Sequence, residues 1–98
     1  MPDWTFLTNH AHVLICVARD PGLRHRDLAA QVGITERAAQ RIVADLVEAG
    51  YLTSTRDGRR NRYELHRELP LRHPLEREHQ IGDILAVLEG KSPPPPAA

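Results

Sequence analysis

A chain of 98 residues with 13 basic and 13 acidic side chains has no formal net charge, which excludes a generally basic nucleic-acid coat protein and supports a single domain with a modest core. One cysteine, Cys16, excludes an intrachain disulfide and a CxxC zinc pair, and it fits a reducing interior. The longest apolar run, residues 13–18, is too short to span a bilayer, and the start lacks the basic-then-apolar order of a signal peptide. The expectation is a soluble cytoplasmic protein without a membrane partner.

Thr8 or Asn9 can cap a first helix, because their side chains accept from unpaired backbone amides. Val13, Leu14, Val17 and Ala18 follow at helical spacing. Asp20-Pro21-Gly22 ends it, since proline cannot continue the ladder and glycine permits the turn. A short second helix is expected over roughly residues 24–32, with Leu23, Leu28, Ala29 and Val32 inward. Gly33 then stands where a helix C-terminus favours a left-handed residue. Thr35 caps a third helix, TERAAQRIVADLVEA, which runs to Gly50 with Glu36 in its first turn.

Two strand-like runs come next, YLTSTR and RYELH, separated by Asp57-Gly58-Arg59-Arg60-Asn61. Asp-Gly between such runs is a hairpin signal. Pro74 suits the first position of a fourth helix, with Glu76 and Glu78 in its first turn. Ile81, Ile84, Leu85 and Leu88 make one apolar stripe on it, Gly82 costs it about 1 kcal/mol relative to alanine, and Gly90 ends it. The tail KSPPPPAA reads as a disordered or polyproline-like stub.

The charge is unevenly distributed. Residues 24–62 carry eight arginines against five acids, while residues 63–98 hold four basic groups against six acids. Two helices joined through Gly33-Ile34 form a helix-turn-helix candidate. Projected at about 100° per residue, the third helix puts Ala38, Ala39, Ile42, Leu46 and Ala49 on one side. Arg37, Gln40, Arg41, Ala44 and Glu48 lie on the other. Arginine and glutamine have the bidentate geometry that guanine and adenine edges require, and small Ala44 permits close approach. A helix-turn-helix followed by a basic hairpin is a winged helix, and RDGRRNR is then the wing tip, suited to phosphates and to a narrow minor groove. A merely solvated face and hairpin tip is the competing explanation. The expected fold class is mainly α with a small β-hairpin (α+β), a winged helix-turn-helix with an added C-terminal dimerisation helix.

The stretch LAAQVGITERAAQRIVADLVEAGYLTSTRDGRRNRYEL, residues 28–65, resembles the core of bacterial MarR-type and ArsR-type transcriptional regulators. Leu28-Ala29 and Gly33-Ile34 sit as in that family's first helix and turn. Thr35 opens the recognition helix, Gln40-Arg41 falls where a Ser-Arg pair is common, and Leu46 with Glu48-Ala49-Gly50-Tyr51-Leu52 matches the exit into the wing. The resemblance implies a homodimeric regulator that binds double-stranded DNA at promoters; separately, no cofactor is expected. MarR-type chains are longer, with extra helices that build a ligand cavity, so a small-molecule effector is left open.

On this basis Arg37, Gln40 and Arg41 are expected to read base edges, and Thr35 with Arg24 or Arg26 to contact phosphates. Arg59, Arg60 and Arg62 are expected to grip the flanking backbone or minor groove. Ile81, Ile84, Leu85 and Leu88 are expected to pair between subunits, helped by helix one and a Trp4-Phe6-Leu7 arm, which would set two recognition helices roughly 34 Å apart. The expected organisation is a DNA-binding domain over residues 1–66, a connector and dimerisation helix over 67–90, and a tail over 91–98. His12 and Cys16, four apart on helix one, raise an ArsR-like metal-sensor alternative, although Cys16 reads more naturally as a small core residue. A winged-helix protein-interaction module is a second alternative. Only Ser54 and Ser92 are serines and no glycine-rich phosphate loop is present, so no enzyme is expected.

Overall fold

The computed structural model describes residues 4–89. Among the described residues the fold is α+β, with four helices and one two-stranded antiparallel hairpin, and the chain divides into two units, Met1–Leu65 and His66–Ala98.

The first unit holds α1 (Asn9–Arg19), α2 (His25–Val32), α3 (Glu36–Glu48), β1 (Leu52–Asp57) and β2 (Arg60–Leu65). Thr8 is the cap of α1, its hydroxyl accepting from the Ala11 amide at 3.3 Å. The helix stops at Asp20, whose carboxylate accepts from the Gly22 amide and turns the chain. Both α2 and α3 end on a glycine in the left-handed region, Gly33 at φ +85° and Gly50 at φ +90°. The following amides return to the helix interior, Ile34 to the Ala29 carbonyl at 3.0 Å and Tyr51 to the Leu46 carbonyl at 3.0 Å. These bonds satisfy carbonyls that a helix end otherwise leaves without partners. The α2–α3 corner is therefore tight, and Thr35 starts α3 at once by accepting from the Ala38 amide at 3.0 Å.

The three helices pack on one another, with α1 also against β2 and α3 against β1. Val13, Val17, Leu28 and Leu52 are 0–1 % exposed at the centre of this core. Each such side chain contributes about 1.5–3 kcal/mol by leaving water. Cys16 is buried on the same helix face, as its expected packing role requires, whereas Leu23, Val32 and Ala18 are half-buried at the margin.

The hairpin turns more tightly than its sequence suggests. The strands extend to Asp57 and Arg60, which pair with each other, so the connection is two residues, Gly58-Arg59, rather than five. Gly58 has φ +66°, which a two-residue turn with glycine in the first central place requires. Cross-strand pairing puts Leu52 opposite Leu65 and Ser54 opposite Tyr63 on one face; Thr55 opposite Arg62 and Asp57 opposite Arg60 lie on the other. The Tyr63 amide donates to the Pro21 carbonyl at 3.1 Å, which ties the outer edge of β2 to the α1–α2 loop.

The second unit corrects the expected fourth helix. The helix α4 spans Ile81–Leu88, eight residues, and does not begin at Pro74. Residues 74–78 form turns, with the Glu76 amide bonded to the His73 carbonyl and the His79 amide to the Glu76 carbonyl. The chain then runs extended, because the Leu71 amide donates to the His79 carbonyl and the Ile81 amide to the Leu69 carbonyl, around a Pro70–Gln80 bridge. Gln80 caps α4 in a capping box, its own amide donating to the Asp83 carboxylate at 3.0 Å. Glu76 and Glu78 consequently lie outside any helix. Within the stripe, Ile81 and Leu85 are buried, Ile84 is half-buried, and Leu88 is 40 % exposed beside Val87 at 61 %. Gly90 and the tail 91–98 lie outside the described residues.

Gly82 has a structural reason. A Cβ there would lie 2.8 Å from the Arg67 Cβ and 2.9 Å from the Arg67 carbonyl oxygen, which already accepts from the Gly82 amide. Overpacking of this kind costs about 1–3 kcal/mol, against about 1 kcal/mol of helix propensity gained with alanine. Gly82→Ala is expected to speed amide hydrogen exchange in α4; slower exchange would contradict the close approach.

Candidate nucleic-acid interface

The surface of α3 divides by helical period. Ala39, Ile42, Val43 and Leu46 are buried, and Arg37, Gln40, Arg41, Ala44 and Glu48 are exposed. Val43 belongs to the inner face although the sequence projection omitted it. Ala38 is half-buried, and Ala49 is exposed because it is the capping residue beyond the last helical turn. The exposed row leaves Arg37, Gln40 and Arg41 in the first two turns, with nothing bulky on Ala44 between them and Glu48.

The helix is also fixed from its side. Asp45 meets His10 of α1, with Oδ2 2.9 Å from Nε2, a contact between residues 35 apart that the sequence did not suggest. Thr35 is exposed, and its hydroxyl oxygen already accepts from the Ala38 amide, so toward a phosphate it acts as a donor. Arg24 is the capping residue of α2 but gives its amides no side-chain bond, and both Arg24 and Arg26 are exposed.

On the hairpin, strand alternation sets which arginines share a side. Arg60 and Arg62 lie on one face and Arg56 with Asn61 on the other, while Arg59 occupies the turn. Arg56 folds back, its Nε donating to the Gly58 carbonyl at 3.3 Å. Arg60 reaches across to the α1–α2 loop, its Nη2 donating to the Gly22 carbonyl at 3.0 Å. Arg62 stays on the solvent face, with its carbonyl accepting from the Thr55 hydroxyl. Of the residues expected at the wing, Arg60 is thus partly engaged by the protein itself, and Arg59 and Arg62 are free of side-chain bonds among the described residues.

The distinguishing electrostatic feature is the local excess of arginine, eight against five acids from residue 24 to residue 62. Among the described residues Arg67 binds Glu89 at 2.7 Å, while the eight arginines from Arg24 to Arg62 have no carboxylate partner, and neither do Arg19, Arg72 and Arg77. Five acids lie in the same interval, yet Asp45 is turned to His10 and the others leave the guanidiniums unpaired.

His25 and Tyr63 join the site without any prior sign in the sequence. The Tyr63 hydroxyl lies 3.3 Å from His25 Nε2, at the foot of the wing. Burial pushes the Tyr63 hydroxyl above its ordinary pKa, with the Asn61 side chain acting in the opposite sense.

Among the described residues, no three His, Cys, Asp or Glu side chains are grouped to hold an ion. His12 Nδ1 lies 3.2 Å from the Asn9 side-chain oxygen. Burial raises the Cys16 thiol above its ordinary pKa, outweighing the lowering influence of Arg19. A raised thiol opposes the thiolate that metal binding requires.

Residues 8–53 match the family described as winged helix-turn-helix DNA-binding. The first unit has the element order and hairpin of a winged helix-turn-helix, and its helical part is similar to that DNA-binding family. The matched stretch takes in α1, α2, α3 and the start of β1; the arginine-bearing tip and β2 lie beyond it. No curated protein matches the chain. Among the described residues, no helix is long and apolar enough to cross a membrane.

The raised thiol gives a direct check. Cys16 should react with a thiol reagent at pH 8 far more slowly in the folded protein than in denaturant. Because the unfolded chain ionises first, its contribution to stability is present at neutral pH and declines as pH rises through the ordinary thiol range. Equal rates in both states would show that helix α1 does not seal this residue.

Proposed function

We propose that the protein is a sequence-specific double-stranded DNA-binding transcriptional regulator that acts as a homodimer, of the bacterial MarR/ArsR kind. The observation that carries this is the row of unpaired guanidiniums on the winged helix-turn-helix, from α2 through the exposed face of α3 to the hairpin. A polyanion offers these guanidiniums the partners that the protein's own carboxylates do not.

Arg37, Gln40 and Arg41 read base edges in the major groove from the first turns of α3. Thr35, Arg24 and Arg26 hold the backbone beside the helix-turn-helix. Arg59 and Arg62 contact the flanking phosphates or minor groove, and Arg60 supports them from its seat on the Gly22 carbonyl. Dimerisation draws on apolar groups left exposed: Leu88 and Val87 of α4, and Trp4 and Phe6, which stack edge-to-face on each other at 4.9 Å with exposures of 67 % and 92 %. The expected stripe is amended accordingly, since Ile81 and Leu85 are already buried in the monomer.

Selection of binding sites from random duplex DNA tests the proposal, with a near-palindromic site as the expected result. Recovery of no enriched sequence would remove sequence-specific binding, and an asymmetric single half-site would remove the dimer. On the selected site, Arg41→Ala should cost about 1–3 kcal/mol and relax base preference at one position. Arg62→Ala should weaken all sequences alike and reduce the salt slope by about one unit. If the dimer makes about 6–10 phosphate contacts, affinity should fall about 10³–10⁵-fold between about 50 and 200 mM salt. Loss of Arg62 that changed sequence preference instead would move this residue to the base-reading group.

A further inference from the structure

A cleft of about 240 Å³ opens within the first unit, between the α1–α2 loop and the foot of the wing. Its walls bring together Arg24, His25, Arg59, Arg60, Asn61 and Tyr63, and no acidic residue lines it. Arg24 and Arg59 lie 35 positions apart in sequence and meet here only because the Tyr63 amide and the Arg60 guanidinium are bonded to the loop carbonyls of Pro21 and Gly22. Among the described residues none of the three guanidiniums has a carboxylate partner.

Three like charges around one concave space repel one another, and a cleft walled by a single sign of charge concentrates counterions. Guanidinium forks match the oxygens of a phosphate, and such charge-assisted bonds are about twice as strong as neutral ones. Arg60 spends one donor on Gly22 and keeps the rest of its fork, so the bond orients it without exhausting it. Asn61 adds a neutral donor to the lining, while the Tyr63 hydroxyl is engaged with His25 at 3.3 Å. The opening turn of α2 borders the space as well, with no side-chain cap over its amides.

We propose that this cleft is an oxyanion site that takes a phosphate group on the free protein, with Arg24 and Arg59 as its main donors and Arg60 as a donor pre-set by the loop. The proposal deepens the phosphate contacts proposed above for Arg24 and Arg59 by joining them in one site that is formed before any DNA is bound; only its consequence for DNA rests on the DNA-binding proposal. Phosphate of either origin fits the chemistry: a diester of the DNA backbone, or a free phosphate-bearing small molecule that would then compete with the duplex for the same arginines.

The test is a titration of the full-length free protein with sodium phosphate, followed by amide NMR, against sodium chloride at matched ionic strength and pH. Saturable shifts confined to the amides around residues 22–25 and 59–63, absent with chloride, are expected. Arg24→Gln and Arg59→Gln, both at exposed positions, should each weaken phosphate roughly tenfold, as loss of a charge-assisted bond implies. Shifts that fail to saturate, that chloride reproduces, or that survive both substitutions would overturn the site. A second titration with a short duplex identifies the source. Duplex shifts at the same amides, with displacement of phosphate, assign the cleft to backbone phosphate. Duplex shifts on α3 that leave the cleft amides and bound phosphate undisturbed assign it to a free ligand. Since the first titration contains no DNA, its failure is distinguishable from failure of the DNA-binding proposal.

Discussion

The seating of the hairpin base governs the whole candidate interface. Leu52 is 1 % exposed and Tyr63 is 5 % exposed, so both strands are anchored at the end nearest the helices. Side chains on a strand alternate faces, and a slip of one residue would exchange the two sets. Such a slip would bury Arg62 in place of Tyr63, an unpaired charge in an apolar core, which is strongly unfavourable. Register is therefore enforced from both sides, by the fit of Leu52 and Tyr63 and by the cost of burying their neighbours. Arg62 faces solvent as a consequence of what Tyr63 does.

The helices are fixed by a similar economy. Gly33 and Gly50 each end a helix in the left-handed region and let the next amide return to a buried carbonyl. The chain between α2 and α3 is thereby short enough that Thr35 caps α3 directly after the turn. Once Ile42, Val43 and Leu46 are committed to the core, the helical period alone puts Arg37, Gln40 and Arg41 outside. Asp45 then holds His10, so the one carboxylate on that stretch of α3 that could pair with the arginines is directed to α1 instead.

Much of this was legible in the residues themselves, because the decisive signals are local. Thr8, Gly33, Thr35 and Gly50 mark ends through backbone rules that operate over a few residues. The inner and outer faces of α3 follow from period, except at Val43, which sits between the two sides of the projection. What failed to show is what depends on contacts distant in sequence. Pro74, Glu76 and Glu78 carry good helix-start signals, yet residues 79–81 are drawn into extended pairing with 69–71, and the capping box of Gln80 with Asp83 starts the helix later. Likewise the partnership of Arg60 with Gly22, and of Tyr63 with His25, spans 38 residues in each case, so neither leaves a trace in a local pattern.

Neutral net charge does not weaken the assignment of a polyanion-binding face. At physiological salt, charges farther apart than about 8 Å are largely screened, so a duplex at the wing responds to the guanidiniums beside it. Asp27, Glu36 and Asp57 stand beside these arginines in the chain or across the hairpin and offset part of that charge, leaving an excess of arginine from residue 24 to residue 62. Arg67, paired with Glu89, has its charge answered locally; the arginines from Arg24 to Arg62 do not. A chain with this distribution has a weaker long-range pull on DNA than a uniformly basic one. Its affinity consequently rests more on close contacts made when the face is correctly docked. Nonspecific binding arises from the long-range and phosphate contribution and is the competitor of every specific site. A net charge of zero with arginines concentrated on one surface would limit that competitor while keeping the groups proposed to read the sequence.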